Sequence, residues 1–234
     1  LGDIFNWNVY EGLATDSYSV DTGSAGSFTA CISFLGYPIF FKEDHIYKVY
    51  GSIPSNFEVM GSATLGVAKG CGGSLAIAGE RLLYLSTSGV MIYSGGIPQS
   101  LHDAFGMTRL RNGRAGSDGL KYYLSAQDES GEWKLYVYDT RKGMWHIEDK
   151  THATHFCRYQ GNTYFLTAEG KIALTGNILD APEGCTDEED FTWFAETGDF
   201  TEKGSSQSTS YDGVKKSIAK LWVRIEVAAG AEAK

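Results

Sequence analysis

The sequence predicts an all-β fold of β-propeller-like repeats of about 40–43 residues, with four to five blades or an incomplete part of a larger chain. Three observations carry that expectation. The first is composition: 29 of 234 residues are glycine, against a usual level of roughly 7%, and 13% are aromatic. Glycine supplies tight turns, while tyrosine and phenylalanine favour pleated, half-buried strands. The second is a recurring unit that opens at Gly36, Gly79, Gly119 and Gly161, 43, 40 and 42 residues apart. The third is that no window shows a sustained 3.6-residue apolar stripe; SLHDAFG allows one helical turn at most.

Each unit reads as a turn glycine, an apolar strand, a polar turn and a second apolar strand. An aromatic, β-prone opening, IFNWNVY, precedes the first unit. The first-strand apolar pair recurs at Phe40-Phe41, Leu83-Tyr84, Tyr123-Leu124 and Phe165-Leu166. The second strand closes at Val49-Tyr50, Ile92-Tyr93, Val137-Tyr138 and Leu174-Thr175. The third unit carries five extra residues in its turn, around Asp128-Glu129-Ser130-Gly131, as a solvent-facing connection tolerates. Between the units lie further strands: SNFEV with Phe57 and Val59, SLAIAG with Leu75 and Ile77, GMWHIED and THFCRYQG. Residues 1–180 form the repeats; residues 181–234 combine an acidic loop, a Ser/Gly-rich connection and further strands, including KLWVRIEV, as a last blade or the start of an adjoining β domain. One four-stranded sheet cannot cover both of its own faces, so adjacent sheets are expected to stack through these side chains.

Charge and cysteine usage narrow the function. The net charge of −9 gives no global attraction to phosphate backbones, so specific nucleic-acid binding is not expected. Cys31, Cys71, Cys157 and Cys185 form no CxxC pair and read as free thiols of a reducing compartment. No apolar run reaches the roughly 18 residues of a membrane helix. The chain opens at Leu1-Gly2-Asp3 without an initiator methionine or a signal peptide and ends in AEAK, so it reads as an interior piece of a longer protein.

No set of residues assembles a catalytic, cofactor-binding or metal site. His146, His152, His155 and Cys157 supply at most two ligands on one strand face, which leaves a tetrahedral site open. Glu43-Asp44-His45 and Glu148-Asp149 sit in polar turns, where carboxylates cap or solvate. Residues 128–133 approach the S-x-D-x-G-x-x-W turn of sialidase-type propellers, but Gly131 is one place out from Asp128 and Trp133 is one place out from that glycine; a long hairpin with a left-handed glycine is the simpler reading. Gly70-Cys71-Gly72-Gly73-Ser74 lacks the Lys-Ser/Thr of a phosphate loop and reads as a flexible connection between blades. Arg109, Arg111 and Arg114 form the one basic cluster, read as a solvated loop. Asp187-Glu188-Glu189-Asp190 lacks the spacing of a calcium loop. Tyr47, Trp133, Trp145 and Trp193 are available as stacking platforms, although packing between blades is the plainer use of them.

The strings NWNVYEG (residues 6–12), LGYPIFFKEDHIYKVYGSIPSNFEV (35–59), SGVMIYSGGIPQSL (88–101) and KLYVYDTRKGMWHIED (134–149) resemble a family of bacteriophage and prophage structural proteins. These are β-propeller-like virion components described as packaged-DNA stabilisation, tail-nozzle or head–tail connector proteins. The resemblance implies a non-enzymatic virion component, made in the bacterial host cytoplasm, whose partners are other virion proteins or copies of itself in a ring. It carries over no catalytic residue. A ring with an acidic wall would serve as a passive DNA conduit, because like charge lets DNA slide. Two other readings remain open: a glycan- or receptor-binding propeller of the adhesin kind, and a propeller enzyme, for which the residues name no catalytic carboxylate.

Overall fold

The computed structural model describes residues 20–53, 56–101 and 108–175. The chain divides into two compact units, Leu1–Thr186 and Asp187–Lys234, and every described residue lies in the first. The strands expected within 181–234, the IFNWNVY opening and most of SLHDAFG lie outside the described residues.

The described residues form an all-β structure of four antiparallel sheets, each built from one contiguous stretch of chain. Sheet I holds β1 (Ala30–Phe34), β2 (Tyr37–Phe41), β3 (His45–Tyr50) and β4 (Glu58–Ala63). Sheet II holds β5 (Ala76–Ala78), β6 (Arg81–Ser86), β7 (Gly89–Tyr93) and β8 (Gln99–Ser100). Sheet III holds β9 (Arg111–Ser117), β10 (Lys121–Gln127), β11 (Trp133–Asp139) and β12 (Met144–Ile147). Sheet IV holds β13 (Ala153–Tyr159), β14 (Asn162–Thr167) and β15 (Ile172–Leu174). Strand order within every sheet follows chain order, so each repeat is an up-and-down meander of the propeller-blade type.

The glycine that opens each repeat sits in the turn between the first and second strands. Its backbone is left-handed in all four copies, with φ of 78° at Gly36, 56° at Gly79, 103° at Gly119 and 86° at Gly161. In sheets I, II and IV the turn has two residues, and the non-glycine partner is left-handed too: Leu35 (φ 53°), Glu80 (63°) and Gln160 (48°). Two consecutive positive φ values are the requirement of a type I′ turn, whose twist matches that of the flanking strands. Sheet III uses a three-residue turn instead, and there Asp118 Oδ1 accepts from the amides of Leu120 (2.8 Å) and Lys121 (2.7 Å).

Period-two alternation then assigns side chains to faces. Phe34, Ile39, Phe41 and Ile46 point from sheet I to sheet II, where Phe41 meets Tyr84 with ring centroids 5.3 Å apart and Phe34 meets Tyr93 at 6.0 Å. Sheet II is covered on both sides, which is why Leu82, Leu83, Tyr84 and Leu85 are all fully buried in succession. Sheet III sends Tyr122, Leu124, Ala126, Tyr136 and Tyr138 towards sheet II and Tyr123, Leu135 and Val137 towards Phe156 of sheet IV. The first strands converge: β5 lies against β9, and β9 against β13. Gly79 N donates to Gly119 O (2.8 Å), joining equivalent turns of sheets II and III.

Two expectations are corrected. The Gly70–Ser74 stretch, expected as a flexible connection, is a packed junction containing a one-turn 3₁₀ helix, Gly72–Ser74. Ser74 is fully buried; its hydroxyl accepts from Leu85 N (2.9 Å) and its carbonyl from the Tyr122 hydroxyl (2.8 Å). Arg111 and Arg114, expected in a loop, lie on β9. Arg114 Nη1 donates to Gly70 O (2.7 Å) and Gly113 O (2.9 Å), so this guanidinium braces the junction.

Candidate functional site

Two concavities open on the described surface. The first lies where strand starts of sheets III and IV meet. It is a cleft of about 290 Å³ lined by Asn112, Arg114, Trp133, His152, Thr154 and His155. Trp133 begins β11, and its indole stacks on the His152 imidazole with centroids 3.6 Å apart and ring planes 11° from parallel. Asn112 is left-handed (φ 55°) beside a bulge in the β9–β10 pairing, and its Nδ2 donates to Gln127 Oε1 (3.0 Å). The cleft therefore offers a cation, two imidazoles and an aromatic face side by side.

The second is an apolar groove of about 580 Å³ on the face of sheet I that points away from sheet II. Phe40, Tyr47, Val49 and Val59 form its floor, with Cys31 at one side. Register explains the set: Cys31 is opposite Phe40, Phe40 opposite Tyr47, and Val49 opposite Val59. Residues 20–29 run along the same face. Phe28 packs edge-on against Phe40 (5.8 Å) and Tyr47 (5.9 Å). The buried Lys42 ammonium donates to Thr22 Oγ1 (3.1 Å) and to the carbonyl and hydroxyl of Ser24 (2.8 Å each), and lies over the Phe28 ring at 5.2 Å. The Tyr47 hydroxyl also bonds Ser24 Oγ.

The remaining residues weighed from sequence are dispersed. His155 and Cys157 share a face of β13, His146 pairs with Glu148 at 3.4 Å, and His152 is held on Trp133. Among the described residues, no three His, Cys, Asp or Glu side chains converge. His45 Nδ1 bonds its neighbour Asp44 at 2.9 Å, and Glu43 accepts from Lys69 N at 3.0 Å. Asp128 organises the long hairpin: Oδ1 accepts from Ser130 N (2.9 Å), Ser130 Oγ (2.5 Å) and Glu132 N (3.0 Å), and Oδ2 pairs with Lys134 Nζ (2.7 Å). Gly131 is left-handed at φ 86°, as the hairpin reading requires. The bond to Lys134, then that to Ser130, hold the Asp128 carboxyl well below the usual carboxylate range. Cys31, Cys71 and Cys157 are free thiols, and burial pushes the Cys71 thiol up. Asp187–Asp190, Cys185 and Trp193 lie outside the described residues.

The large aromatic residues are committed to packing. Tyr84 donates to Leu65 O (2.7 Å), Tyr123 to Asp118 Oδ2 (3.1 Å) and Trp145 Nε1 to Leu101 O (3.1 Å). Burial raises the pKa of Tyr84, Tyr122 and Tyr123 well above that of a free phenol, so these hydroxyls stay protonated donors near neutral pH. Of the platforms named from sequence, Tyr47 is buried on the groove floor, Trp145 is half-buried against Tyr138, and Trp133 lines the cleft. Asn112 and Thr154 of the cleft, and Phe28 and Lys42 of the groove, were not singled out by sequence reasoning. For Lys42 a signal existed: it follows Phe40 by two positions and so shares its face.

No helix of the described residues is long and apolar enough to cross a membrane. No protein-family model matches the chain, and no curated protein does. Among solved structures it is similar to PorZ, an essential bacterial surface component of the type-IX secretion system of Porphyromonas gingivalis, at 16% sequence identity with a TM-score of 0.43. That similarity covers 66% of this chain and 21% of the PorZ chain.

Proposed function

We propose that the protein is a non-enzymatic structural component of a bacteriophage particle, a tail, connector or nozzle-like element that acts through protein–protein contacts. One observation supports this reading above the others. Three of the strings that resemble virion proteins fall largely on sheet strands, and they include β2, β3, β7 and most of β11, which supply residues of the inter-sheet core. The likeness therefore lies in the scaffold, and a stack of mutually buried sheets suits a part whose work is to hold a shape. The polar side chains described above brace turns and junctions, which also suits a scaffold.

Electron microscopy of the purified protein, and of phage particles from cells that produce it, tests the proposal. Rings, or particle density into which the four stacked sheets fit, are the expected result. A monodisperse monomer absent from every particle would overturn it.

A second reading, a glycan-binding module, is favoured by the cleft where Trp133 and Arg114 lie together. Aromatic faces and polar side chains of this kind hold sugar rings. Saturable binding on a glycan array that is lost in Trp133→Ala would favour it over the scaffold.

A further inference from the structure

The cleft between sheets III and IV is shaped by irregularities in the strands that border it. Successive residues of a regular strand point to opposite faces. The β13–β14 pairing shifts register between Ala153 and His155, and this bulge lets Thr154 and His155 line one cleft together. From sheet III, Asn112 and Arg114 are two positions apart on β9 and share a face. The β9–β10 pairing is shifted as well, between Ser125 and Gln127.

Four of the six lining residues carry N–H groups that the chain does not use. The half-buried Arg114 spends Nη1 on Gly70 O and Gly113 O, while its Nε and Nη2 meet no acceptor among the described residues. The indole Nε1 of Trp133 and the rings of His152 and His155 have no hydrogen-bond partner there either. These groups are not sealed in: among the described residues, the one buried side-chain polar atom without a partner is Thr163 Oγ1. None of the lining residues is acidic. Glu169 interacts electrostatically with His152 but is bonded to Thr167. The lysines nearby differ, since Lys134 pairs with Asp128 and Glu132, and Lys150 with Glu132. A charge drawn out of water normally has a counter-charge, and among the described residues Arg114 has none. The arginine is also held in place. A Cβ on Gly73 would stand 2.6 Å from Arg114 Cδ, so the missing side chain makes room for its stem.

A fixed guanidinium with two unused N–H positions takes a carboxylate through two parallel bonds. The cleft, at about 290 Å³, is nearly twice the roughly 150 Å³ that encloses a benzene ring, so one ring and its carboxylate fit. Beside the Trp133 face, the Asn112 amide and the Thr154 hydroxyl suit a ring that carries hydroxyls. We propose that the cleft binds a carboxylated sugar, a uronic or sialic acid unit, with its carboxylate on Arg114 and its ring against Trp133. The proposal rests on the glycan-binding reading given second above and adds the charge that the sugar must carry.

A glycan array probed with the full chain tests it, each uronate or sialate glycan being printed beside its carboxyl-reduced counterpart. The expected result is saturable binding at least tenfold tighter to the carboxylated member of each pair. Arg114→Gln should weaken that binding at least tenfold. His155→Asp, a change at an exposed position that brings a carboxylate into the cleft, should weaken it as much. Arg111→Gln, on the same strand but outside the cleft, should leave it unchanged. Arg114 also braces the Gly70–Ser74 junction; if thermal melting shows Arg114→Gln to be unfolded, the paired glycans and His155→Asp decide. Equal binding to both members of each pair would overturn the proposal and leave the glycan reading standing. A tenfold preference that survives His155→Asp would place the ligand elsewhere and overturn it too. Absence of binding to every glycan would overturn both.

Discussion

One missing Cβ decides how sheets III and IV meet. A Cβ on Gly116 would stand 2.4 Å from Phe156 Cβ and 2.7 Å from its Cγ, and neither atom is the far end of a flexible chain. Phe156 packs on Tyr123, Leu135 and Val137 only because β9 has no side chain there. Gly116→Val should therefore destabilise the protein by ~1–3 kcal/mol, the usual range for overpacking a closed interface, as read from the urea midpoint. Unchanged stability would mean that the two sheets do not pack this closely. Nothing in the string RNGRAGSDG announces that role. Its arginines, asparagine and glycines read as a loop, because glycine in a sequence signals a turn and a close approach equally well. The Phe, Tyr and Leu pairs of the second strands were legible, since alternation and bulk alone place them inside.

At the scale of the element, the hairpins show what spacing reveals and what it leaves out. The four opening glycines were legible by their recurrence. Their partners Leu35, Glu80 and Gln160 were not, since none of these residue types favours positive φ; the two-residue connection imposes it. The longer β10–β11 turn was legible by its length, but the bonds centred on Asp128 had no sequence signal. That turn carries a pH dependence. The folded carboxyl of Asp128 titrates below the roughly 3.9 of an unfolded aspartate, so its stabilising contribution is complete above that value. It is lost as pH falls towards the folded pKa. Lys134 is partly solvated, so screening keeps the effect modest. Thermal midpoints taken from pH 5 down to pH 2 should fall less steeply in Asp128→Asn than in the parent; equal slopes would exclude the pair as a contributor.

For the whole molecule, the arrangement of neighbours sets the ranking of stability. Among the described residues, each sheet packs chiefly on those beside it in sequence, so stability is approximately a sum of sheet terms and interface terms. Sheet II has two described interfaces and the most completely buried strands, β6 and β7. Its amides should exchange with solvent most slowly, and those of the three-stranded sheet IV fastest, in native-state hydrogen exchange. Uniform protection across the four sheets would refute nearest-neighbour stacking. The repeat and its period were readable at this scale because a stacked unit reuses one pattern. Function was less readable, since the clefts draw on residues such as Asn112 and Thr154 that only the tertiary fold brings near Trp133.

Because every sheet closes from adjacent chain, its strands find one another without waiting for distant sequence, and the loops to be closed are short. On the ribosome each meander is complete soon after its last residue emerges. Each inner face still waits for the next sheet to cover it, and sheet II, with the most completely buried strands, has the most to wait for. Until Tyr122 and Leu124 have been synthesised, one side of its Leu- and Tyr-rich surface has nothing to rest on. The nascent protein is therefore most prone to aggregate in the interval between the synthesis of β8 and that of β10.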